Sequence, residues 1–421
     1  MPPLVLTDEE HDLLTGGAGE GVAMAMRVVT ALARVRGADR LVEVSGAHVD
    51  SCLYHGRAGL DFARRLLDLG ASVRVPTTLN VGSLDLMHPG TVREDASHPD
   101  VLSGGRKLMD VYAALGARAT WTCAPYQVGA RPQLGEHVAW AESNAIVFAN
   151  SVLGARTDRY GDFLDISAAV TGRAPLAGLH LDAERMGSVV FDLSAVTPSR
   201  LDEEMWWSVV GYLVGEIAAT AGVPVLVGAG EDASEDALKA LGAAAASSGS
   251  VGLFHLVRRT PEAPDLASCS RAAAPVTIVT DADLDVVRQR LSTARGSRLD
   301  AVSLGTPHAS LAEIRRLAEA LALAGSPVHP SVDAVVSTSR GILALARAGG
   351  LAEAVEAGGF RFVVDTCTYV TPVLAPTVRV AMTTSGKWAH YAPGNIGVDV
   401  VLGTVGECVS SAVAGRVVLD G

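Results

Sequence analysis

Short apolar runs rich in β-branched residues alternate with longer stretches of helical periodicity along most of the chain. The runs predict buried strands at RLVEVS, SVRVP, PVLVG, GLFHLV, AVSLG, SPVHP and FRFVVD. The longer stretches predict helices, for example EDALKALGAAAASS and SLAEIRRLAEALALAG. Because strands that alternate with helices build layered α/β domains, the pattern predicts an α/β fold with mostly parallel sheets.

The N-terminal region carries a clear helix-start signal. Thr7 with Glu10 forms a capping-box signature, and a second helix fits residues 19–35. The Ala/Gly-rich stretch 241–252 predicts close helix packing rather than a flexible linker. Changes in the pattern near residues 95 and 270 suggest three α/β domains, at 1–95, 96–270 and 271–421.

Composition narrows the function classes. Of the 421 residues 49% are hydrophobic, and the net charge is −12. This balance disfavours disorder, general nucleic-acid binding and membrane-surface binding. The start of the chain lacks a basic region followed by an apolar run, and no apolar run reaches the length of a membrane span. We therefore expect a cytoplasmic protein, whose five cysteines are reduced.

Polar residues concentrate directly after the predicted strands. In open α/β sheets, ligands bind beyond the carboxyl ends of the strands, so these segments could line one cleft. The segments are 45–56, 76–80, 120–126, 305–310, 365–370 and 383–395.

Cys123 and Cys367 each end an apolar, strand-like run. Each could be a packed thiol, a nucleophile or a thiolate ligand of a soft metal or iron–sulfur cluster. The spacing does not decide between these roles, because the chain contains no CxxC motif. His48 and His308 also follow strands, and each could be a hydrogen-bonded loop residue or a functional one.

Two cations and a polar helix segment are further candidates. Arg156 could clamp a carboxylate or simply be solvated, and Lys387 lies among small hydroxyls and aromatic side chains that suit anion binding or proton transfer. Polar residues also interrupt an apolar helical stretch, where they either bond between helices or face a substrate. They are Glu142, Ser143, Asn150 and Ser151.

Several segments together resemble the aconitase X family, the divergent branch of the aconitase superfamily. They are TCAPY, GEHVAWAESNAIVFANSVLGART, GTPHAS, DTC and SGKWAHYAPG, in the family's order along almost the whole chain. The resemblance implies an iron–sulfur-dependent hydro-lyase with stacked three-layer α/β/α domains. Members of the family dehydrate cis-3-hydroxy-L-proline or, in an archaeal branch, mevalonate 5-phosphate. The loop HVDSCLYHG looks more like the hydroxyproline branch.

The resemblance also implies roles for individual residues. Cys123 and Cys367 match cluster ligands. Thr306 stands where many relatives have a third cysteine, and Cys52 is the favoured substitute. The expected catalytic residues are Asn80, Glu142, Ser143 and Lys387. The expected substrate-binding residues are His48, Asp50, Ser51, Arg156, His308 and Ser385.

The resemblance leaves the cluster type open between [2Fe-2S], [3Fe-4S] and [4Fe-4S], and Cys269 and Cys408 are expected to be packed thiols. It implies that a small swivel-domain subunit, supplied as a separate chain, completes the active site. Three alternatives remain: a dehydratase for mevalonate 5-phosphate or another hydroxy acid, a Cys/His nucleophilic enzyme that uses Cys123 or Cys367 with His308, and a non-catalytic scaffold.

Overall fold

The computed structural model describes residues 3–94, 99–219 and 222–419. The chain divides into two compact units. Unit 1 comprises Met1–Leu84, Glu94–Met186 and Thr260–Glu262, and unit 2 comprises Asp85–Arg93, Gly187–Arg259 and Ala263–Gly421. The predicted boundary between 95 and 96 lies outside the described residues, and the one near 270 falls within unit 2. The three-domain division therefore stays a prediction.

Unit 1 contains short strands joined by helices and long loops. Its helices are α1 (Asp8–Thr15), α2 (Glu20–Val35), α3 (Arg57–Asp68), α4 (Val101–Ala114), α5 (Ser143–Phe148) and α6 (Leu164–Thr171). Its strands are β1 (Leu41–Glu43), β2 (Ala47–Val49), β3 (Thr77–Leu79), β4 (Ala139–Trp140) and β5 (Arg173–Pro175).

Two small sheets organise unit 1. Strands β3, β2 and β4 form a parallel sheet in that order, whereas β1 and β5 pair antiparallel. The residues of β2, β3 and β4 are all buried, as expected for a parallel sheet that is covered on both faces. The carboxyl ends of β2, β3 and β4 therefore meet at one edge of this sheet.

Unit 2 contains two larger sheets and the remaining helices. Its helices are α7 (Glu204–Ala218), α8 (Glu235–Gly249), α9 (Leu266–Cys269), α10 (Asp281–Leu291), α11 (Leu311–Ala324), α12 (Arg340–Ala348), α13 (Leu351–Ala357), α14 (Gly386–Ile396) and α15 (Val405–Ala414). Its strands are β6 (Val189–Ala195), β7 (Pro224–Val227), β8 (His255–Leu256), β9 (Val276–Thr280), β10 (Ala301–Ala309), β11 (Asp333–Thr338), β12 (Arg361–Val364), β13 (Val380–Thr383) and β14 (Asp399–Leu402).

Both sheets of unit 2 are parallel. One has the order β8–β7–β6–β9, and the other has the order β12–β11–β10–β13–β14. Helices α7 and α8 cross at very short range, because a Cβ atom on Gly215 of α7 would lie 2.6 Å from the carbonyl oxygen of Ala245 in α8. This contact confirms the close helix packing predicted for residues 241–252.

The predicted elements agree with the structure where the signal is local. The capping box of Thr7 and Glu10 is present, and the second helix spans Glu20–Val35. The predicted strand GLFHLV shortens to His255–Leu256. The fold class, α/β with mostly parallel sheets flanked by helices, is confirmed.

Two predicted strands are wrong. In SVRVP, the N–H groups of Val73 and Arg74 donate to carbonyl groups outside any sheet, and strand β3 begins only at Thr77. In SPVHP, Pro327 and Pro330 lack the N–H group that a sheet ladder requires, and β11 follows at residues 333–338. In both cases the apolar run precedes the strand that the tertiary structure forms.

Candidate functional site

Three polar side chains follow the strands of the parallel sheet in unit 1. Asp50 directly follows β2, Asn80 directly follows β3, and Glu142 lies two residues beyond β4. The ladder continues past the strands, because the Asn80 N–H donates to the Val49 carbonyl at 2.8 Å. Within unit 1, the carboxyl ends of the strands thus carry the polar residues that the sequence suggested.

Cys123 lies beside the same edge of the sheet. The N–H of Thr122 donates to the carbonyl of Leu79 at 3.0 Å, so the next residues, Cys123 and Asn80, are neighbours. The Asn144 amide donates to the Cys123 carbonyl at 2.8 Å and holds the loop in place. Cys123 is 6% exposed. Its backbone position therefore suits a ligand at the end of the sheet.

Asp50 is a half-buried residue whose carboxyl group is itself buried, in an acidic environment. Burial, together with the negative charges of Glu142, Asp165 and Asp162, raises its pKa to about 7. The side-chain amide of Asn80 donates to one oxygen of Asp50 and acts in the opposite direction. This cluster of carboxyl groups is therefore rich in negative charge and suits a ligand that donates hydrogen bonds.

Asp165 is a functional candidate that the sequence reasoning missed. Its buried carboxylate accepts hydrogen bonds from the N–H groups of Asp50 and Ser51 at 2.8 and 2.9 Å, and from the Ser51 hydroxyl at 2.9 Å. Burial raises its pKa to about 6. Ser51 also bonds to the Tyr112 hydroxyl at 2.5 Å, so Ser51 acts here as part of the support for the loop after β2. The available signal was the aspartate that interrupts the apolar stretch FLDISAAV.

The environment of Cys52 is that of a protonated thiol. Its sulfur donates to the carbonyl oxygens of Val49 and Asn80 at 3.4 and 3.3 Å. Burial raises its pKa well above the ordinary value, and the charges of Asp50 and Asp165 add to this effect. A ligand must be a thiolate, so these contacts disfavour Cys52 as a third ligand, and that role stays a prediction.

His48 lies in the middle of β2 and is completely buried. Its Nδ1 bonds to the Thr78 hydroxyl at 2.8 Å, and burial lowers its pKa to about 3. The ring is therefore neutral, and its Nε2 has no hydrogen-bond partner among the described residues. The substrate-binding role of His48 stays a prediction.

The polar residues of the segment 142–151 have separate functions. Glu142 has a left-handed backbone, with φ 69°, and its carboxylate accepts from the N–H of Asn144 at the start of α5. Ser143 is the first residue of α5. Asn150, by contrast, bonds to both the N–H and the carbonyl of Thr157 at 3.0 and 2.9 Å. Asn150 therefore stabilises the following loop rather than forming a seam between helices.

Arg156 is already engaged with protein groups. Its guanidinium forms an ion pair with Asp182, lies 3.9 Å from a carboxylate oxygen of Glu262, and donates to the His180 carbonyl at 3.1 Å. Binding of a substrate carboxylate would require these contacts to open. The role of Arg156 as a carboxylate clamp stays a prediction.

In unit 2, Cys367 has surroundings that can stabilise a thiolate. Burial raises its pKa, while the Thr306 hydroxyl at 3.5 Å from the sulfur, the N–H groups of Tyr369 and Thr368, and the charge of Lys387 lower the pKa. These donors are the groups that a sulfur ligand of a metal or cluster requires around it. Cys367 therefore fits the role of a ligand, and Thr306 lies beside it as a hydroxyl donor.

Lys387 is buried near the beginning of α14 and is 3% exposed. Ser385 caps this helix by accepting the N–H of Trp388, and the Trp388 indole donates to the Thr368 hydroxyl at 2.9 Å. The cap and the indole fix the loop that carries the lysine. Ser385 therefore has a defined structural role, and its contact with substrate stays a prediction.

His308 lies in the buried strand β10. Its Nε2 bonds to the carbonyl of Thr366 at 3.1 Å, which makes this nitrogen a donor. Burial lowers the pKa of His308 to about 4. An imidazole held in this way connects strand β10 to the loop after β12, and this geometry does not favour His308 as the base of a Cys/His nucleophilic pair.

Two charged networks that the sequence reasoning missed support these loops. Lys239 of α8 forms ion pairs with Glu313 and, at 3.1 Å, with Asp236. Arg340 binds Asp365 with two hydrogen bonds of 2.5 and 2.6 Å, two residues before Cys367. The pairs Lys239–Glu313 and Arg340–Asp365 join residues that are 74 and 25 positions apart, so no local pattern predicts them.

Among residues 3–94, 99–219 and 222–419, no group of three or more His, Cys, Asp or Glu side chains is arranged to hold a metal ion. None of the helices in the described part of the chain combines the length and apolar character that a membrane span requires. The cytoplasmic location stays a prediction.

Family models for the first, second and third domains of aconitase X match residues 3–183, 187–289 and 299–414. The chain belongs to the aconitase X family. A crystal structure of Thermococcus kodakaraensis aconitase X in its holo-form has a TM-score of 0.86 and 33% identity to this chain, and the match covers 97% of this chain and 100% of that one.

Curated relatives of this aconitase X chain have two names. A cis-3-hydroxy-L-proline dehydratase of Pseudomonas aeruginosa is 42% identical over 97% of this chain and 70% of its own length. The enzyme of the same name from Hypocrea jecorina is 39% identical over 97% of this chain and 69% of its own length. A phosphomevalonate dehydratase large subunit of Methanothermobacter thermautotrophicus is 38% identical over 93% of this chain and 94% of its own length. Dehydratases are hydro-lyases, so the predicted enzyme class is confirmed.

Proposed function

We propose that this aconitase X chain is the large subunit of an iron–sulfur-dependent dehydratase that acts on cis-3-hydroxy-L-proline. The observation that carries the substrate is the identity of 42% over 97% of the chain to a dehydratase of that name. The partner is inferred from the names of relatives, because proteins that are 31% to 38% identical to this chain are called large subunits, which implies a small one. We propose a small swivel-type subunit as that partner.

The reaction removes the proton beside the carboxylate and expels hydroxide from the neighbouring carbon. Cys123 and Cys367 are the proposed thiolate ligands of the cluster, which when bound supplies a Lewis acid for the departing hydroxyl group. The Lys387 ammonium is proposed to stabilise the substrate carboxylate and the negative charge that builds up on it. Asn80, Glu142 and Ser143 are proposed to orient the substrate.

A second candidate substrate is mevalonate 5-phosphate. It is favoured by identities of 31% to 38% to phosphomevalonate dehydratase large subunits. The two substrates differ in charge: hydroxyproline is a zwitterion, whereas the phosphate ester is strongly anionic. The acidic cluster around Asp50 supports the zwitterion.

The test is anaerobic purification of the chain with and without the small subunit, followed by a turnover assay with both substrates. We expect the complex to dehydrate cis-3-hydroxy-L-proline, as seen by loss of the C2 and C3 proton signals in NMR, and the isolated chain to be nearly inactive. Turnover of mevalonate 5-phosphate alone would assign the chain to the other branch. Full activity of the isolated chain would disprove the need for a partner.

The ligand assignment is tested separately by iron and sulfide analysis. We expect Cys123→Ser and Cys367→Ser each to lose cluster iron, because a hydroxyl is a poor ligand for it. Cys269→Ser is the matched control, because Cys269 is packed in an apolar cluster with Val190, Val225 and Ala263. If Cys123→Ser retains the iron content of the control, the assignment of that ligand fails.

A further inference from the structure

The Asn80 side chain has one oxygen without a partner. Asn80 is 3% exposed, its Nδ2 donates to Asp50, and its Oδ1 accepts no hydrogen bond from the described residues. Rotating the amide by 180° would bring its oxygen against the Asp50 carboxyl group, which in its ionised form only accepts, and would leave the amide nitrogen without that partner. A buried polar atom left in this way loses the hydrogen bond that it makes with water, so such atoms are rare in the interior of proteins.

The neighbouring charges that most affect Asp50 are all negative. They belong to Glu142, Asp165 and Asp162, and all three are carboxyl groups. Unlike Asn80, Asp50 keeps part of its surface accessible. The end of the sheet thus offers a carboxylate and an amide oxygen side by side, and both are hydrogen-bond acceptors.

We propose that Asp50 and Asn80 form a subsite for the secondary ammonium group of a cyclic amino acid. Such a group carries two N–H donors, one for the Asp50 carboxylate and one for the Asn80 carbonyl oxygen. The inference rests on the proposed function and deepens it, because it identifies the groups that select the substrate class. A phosphorylated hydroxy acid offers no N–H donor and would bring further negative charge to the acidic cluster.

A purely structural role for the pair accounts for less of the geometry. The bond between Asn80 and Asp50 fixes the loop after β2, and that role requires only the amide nitrogen. It leaves the amide oxygen unexplained, since a structural asparagine such as Asn150 uses both ends of its amide. A ligand with two donors satisfies both acceptors of the pair at once.

The test compares three five-membered-ring carboxylates that differ at the ring heteroatom, and the decisive pair, proline and the oxygen analogue, has the same ring shape. L-Proline has two N–H donors, N-methyl-L-proline has one, and tetrahydrofuran-2-carboxylate has none and no positive charge. We expect the dissociation constants of the full chain, measured by calorimetry with its small subunit present, to rise in that order. Because hydrogen bonds that involve a charged group contribute about 1.5–3 kcal/mol, proline should bind about 10- to 100-fold more tightly than the oxygen analogue.

Asp50→Asn supplies the second arm, because it preserves shape and removes the charge. The preference for proline over the oxygen analogue should fall to less than about threefold, a residual consistent with a neutral hydrogen bond. Asp110→Asn, on the exposed surface of α4, is the matched control and should keep the full preference. If Asp50→Asn does not fold, the ligand series on the unmodified protein decides alone.

The result that overturns the proposal is equal affinity of the unmodified protein for proline and the oxygen analogue, or no measurable affinity for either. A loss of affinity in Asp50→Asn that is equal for both ligands also overturns it, because the effect would then be independent of the ammonium group. Failure of the proposed function is distinguishable, because it appears in turnover of the two candidate substrates and not in the ligand preference.

Discussion

Replacement of Lys239 by methionine removes a charge from the interior of unit 2 while it preserves the length of the side chain. The lysine side chain is 2% exposed, and its partners Asp236 and Glu313 are 12% and 23% exposed. Breaking a buried ion pair from one side costs about 3–5 kcal/mol, because the remaining charge is left without compensation. Since both carboxylates keep some contact with water, we expect a loss of about 3 kcal/mol.

The loss should depend on pH in a defined direction. Burial, together with the charges of Glu313 and Asp236, raises the pKa of the nearby Glu204 to about 8, above its ordinary value of 4.5. Because the pKa of Glu204 is raised in the folded state, its protonated carboxyl group contributes fully to stability below pH 4.5. This contribution is lost as the pH rises through 8. Removal of the Lys239 charge strengthens this effect, so the difference between variant and unmodified protein should be larger at pH 8 than at pH 5.

Thermal unfolding followed by circular dichroism measures the effect. About 3 kcal/mol corresponds to a decrease in Tm of about 6–12 °C for a domain of this size. Lys107→Met, on the exposed surface of α4, is the matched control and should change Tm by less than about 2 °C. The double variant Lys239→Met with Glu313→Gln should be less destabilised than the single variant. If Lys239→Met behaves like the control at both pH values, the buried ion pairs do not stabilise unit 2.

Two further substitutions test the packing and the loop support of unit 2. Arg340→Gln should lower the free energy of unfolding by about 2–4 kcal/mol, because it leaves the Asp365 carboxylate, whose side chain is 0% exposed, without its two-point partner. A urea titration measures this loss, with Arg347→Gln, exposed on the same helix, as the control that should have little effect. Equal unfolding midpoints for the two variants would contradict the reasoning. Gly215→Ala should cost about 1–3 kcal/mol, since its Cβ would lie 2.1 Å from a hydroxyl oxygen of α8. Gly59→Ala, in α3 with open space around it, should instead stabilise by about 0.5–1 kcal/mol, and a loss there would show that free space was misjudged.

Much of the candidate site follows from short-range signals. Asp50 and Asn80 lie in segments that stand out because polar residues follow buried strands, whereas Glu142 stands out as a polar residue in an apolar helical stretch. The roles of Asn80 and Glu142 came from the family resemblance. Parallel strands bring such residues to one edge whatever their exact pairing, so the expectation does not depend on knowing the register. The same reasoning explains why errors of several residues in strand position, as for SVRVP, left the polar candidates intact.

The partners of these residues required the tertiary structure. Asp165 holds the loop of Asp50 across a separation of 115 residues, and Arg156 is bound to Asp182 rather than left for a substrate. A charged side chain has the same local sequence context whether it is solvated, paired or buried. Only the fold decides which opposite charge lies within reach.

The sequence by itself determined the helix starts, the alternation of strands and helices, and the loops that carry the candidate chemistry. Each of these depends on residues that are close together in the sequence. The tertiary structure alone decided the strand order, the protonated environment of Cys52, the donors around Cys367 and the bare amide oxygen of Asn80. The physical reason is that burial and hydrogen bonding are properties of the neighbours in space. For this chain, those neighbours are mostly supplied by segments far away in the sequence.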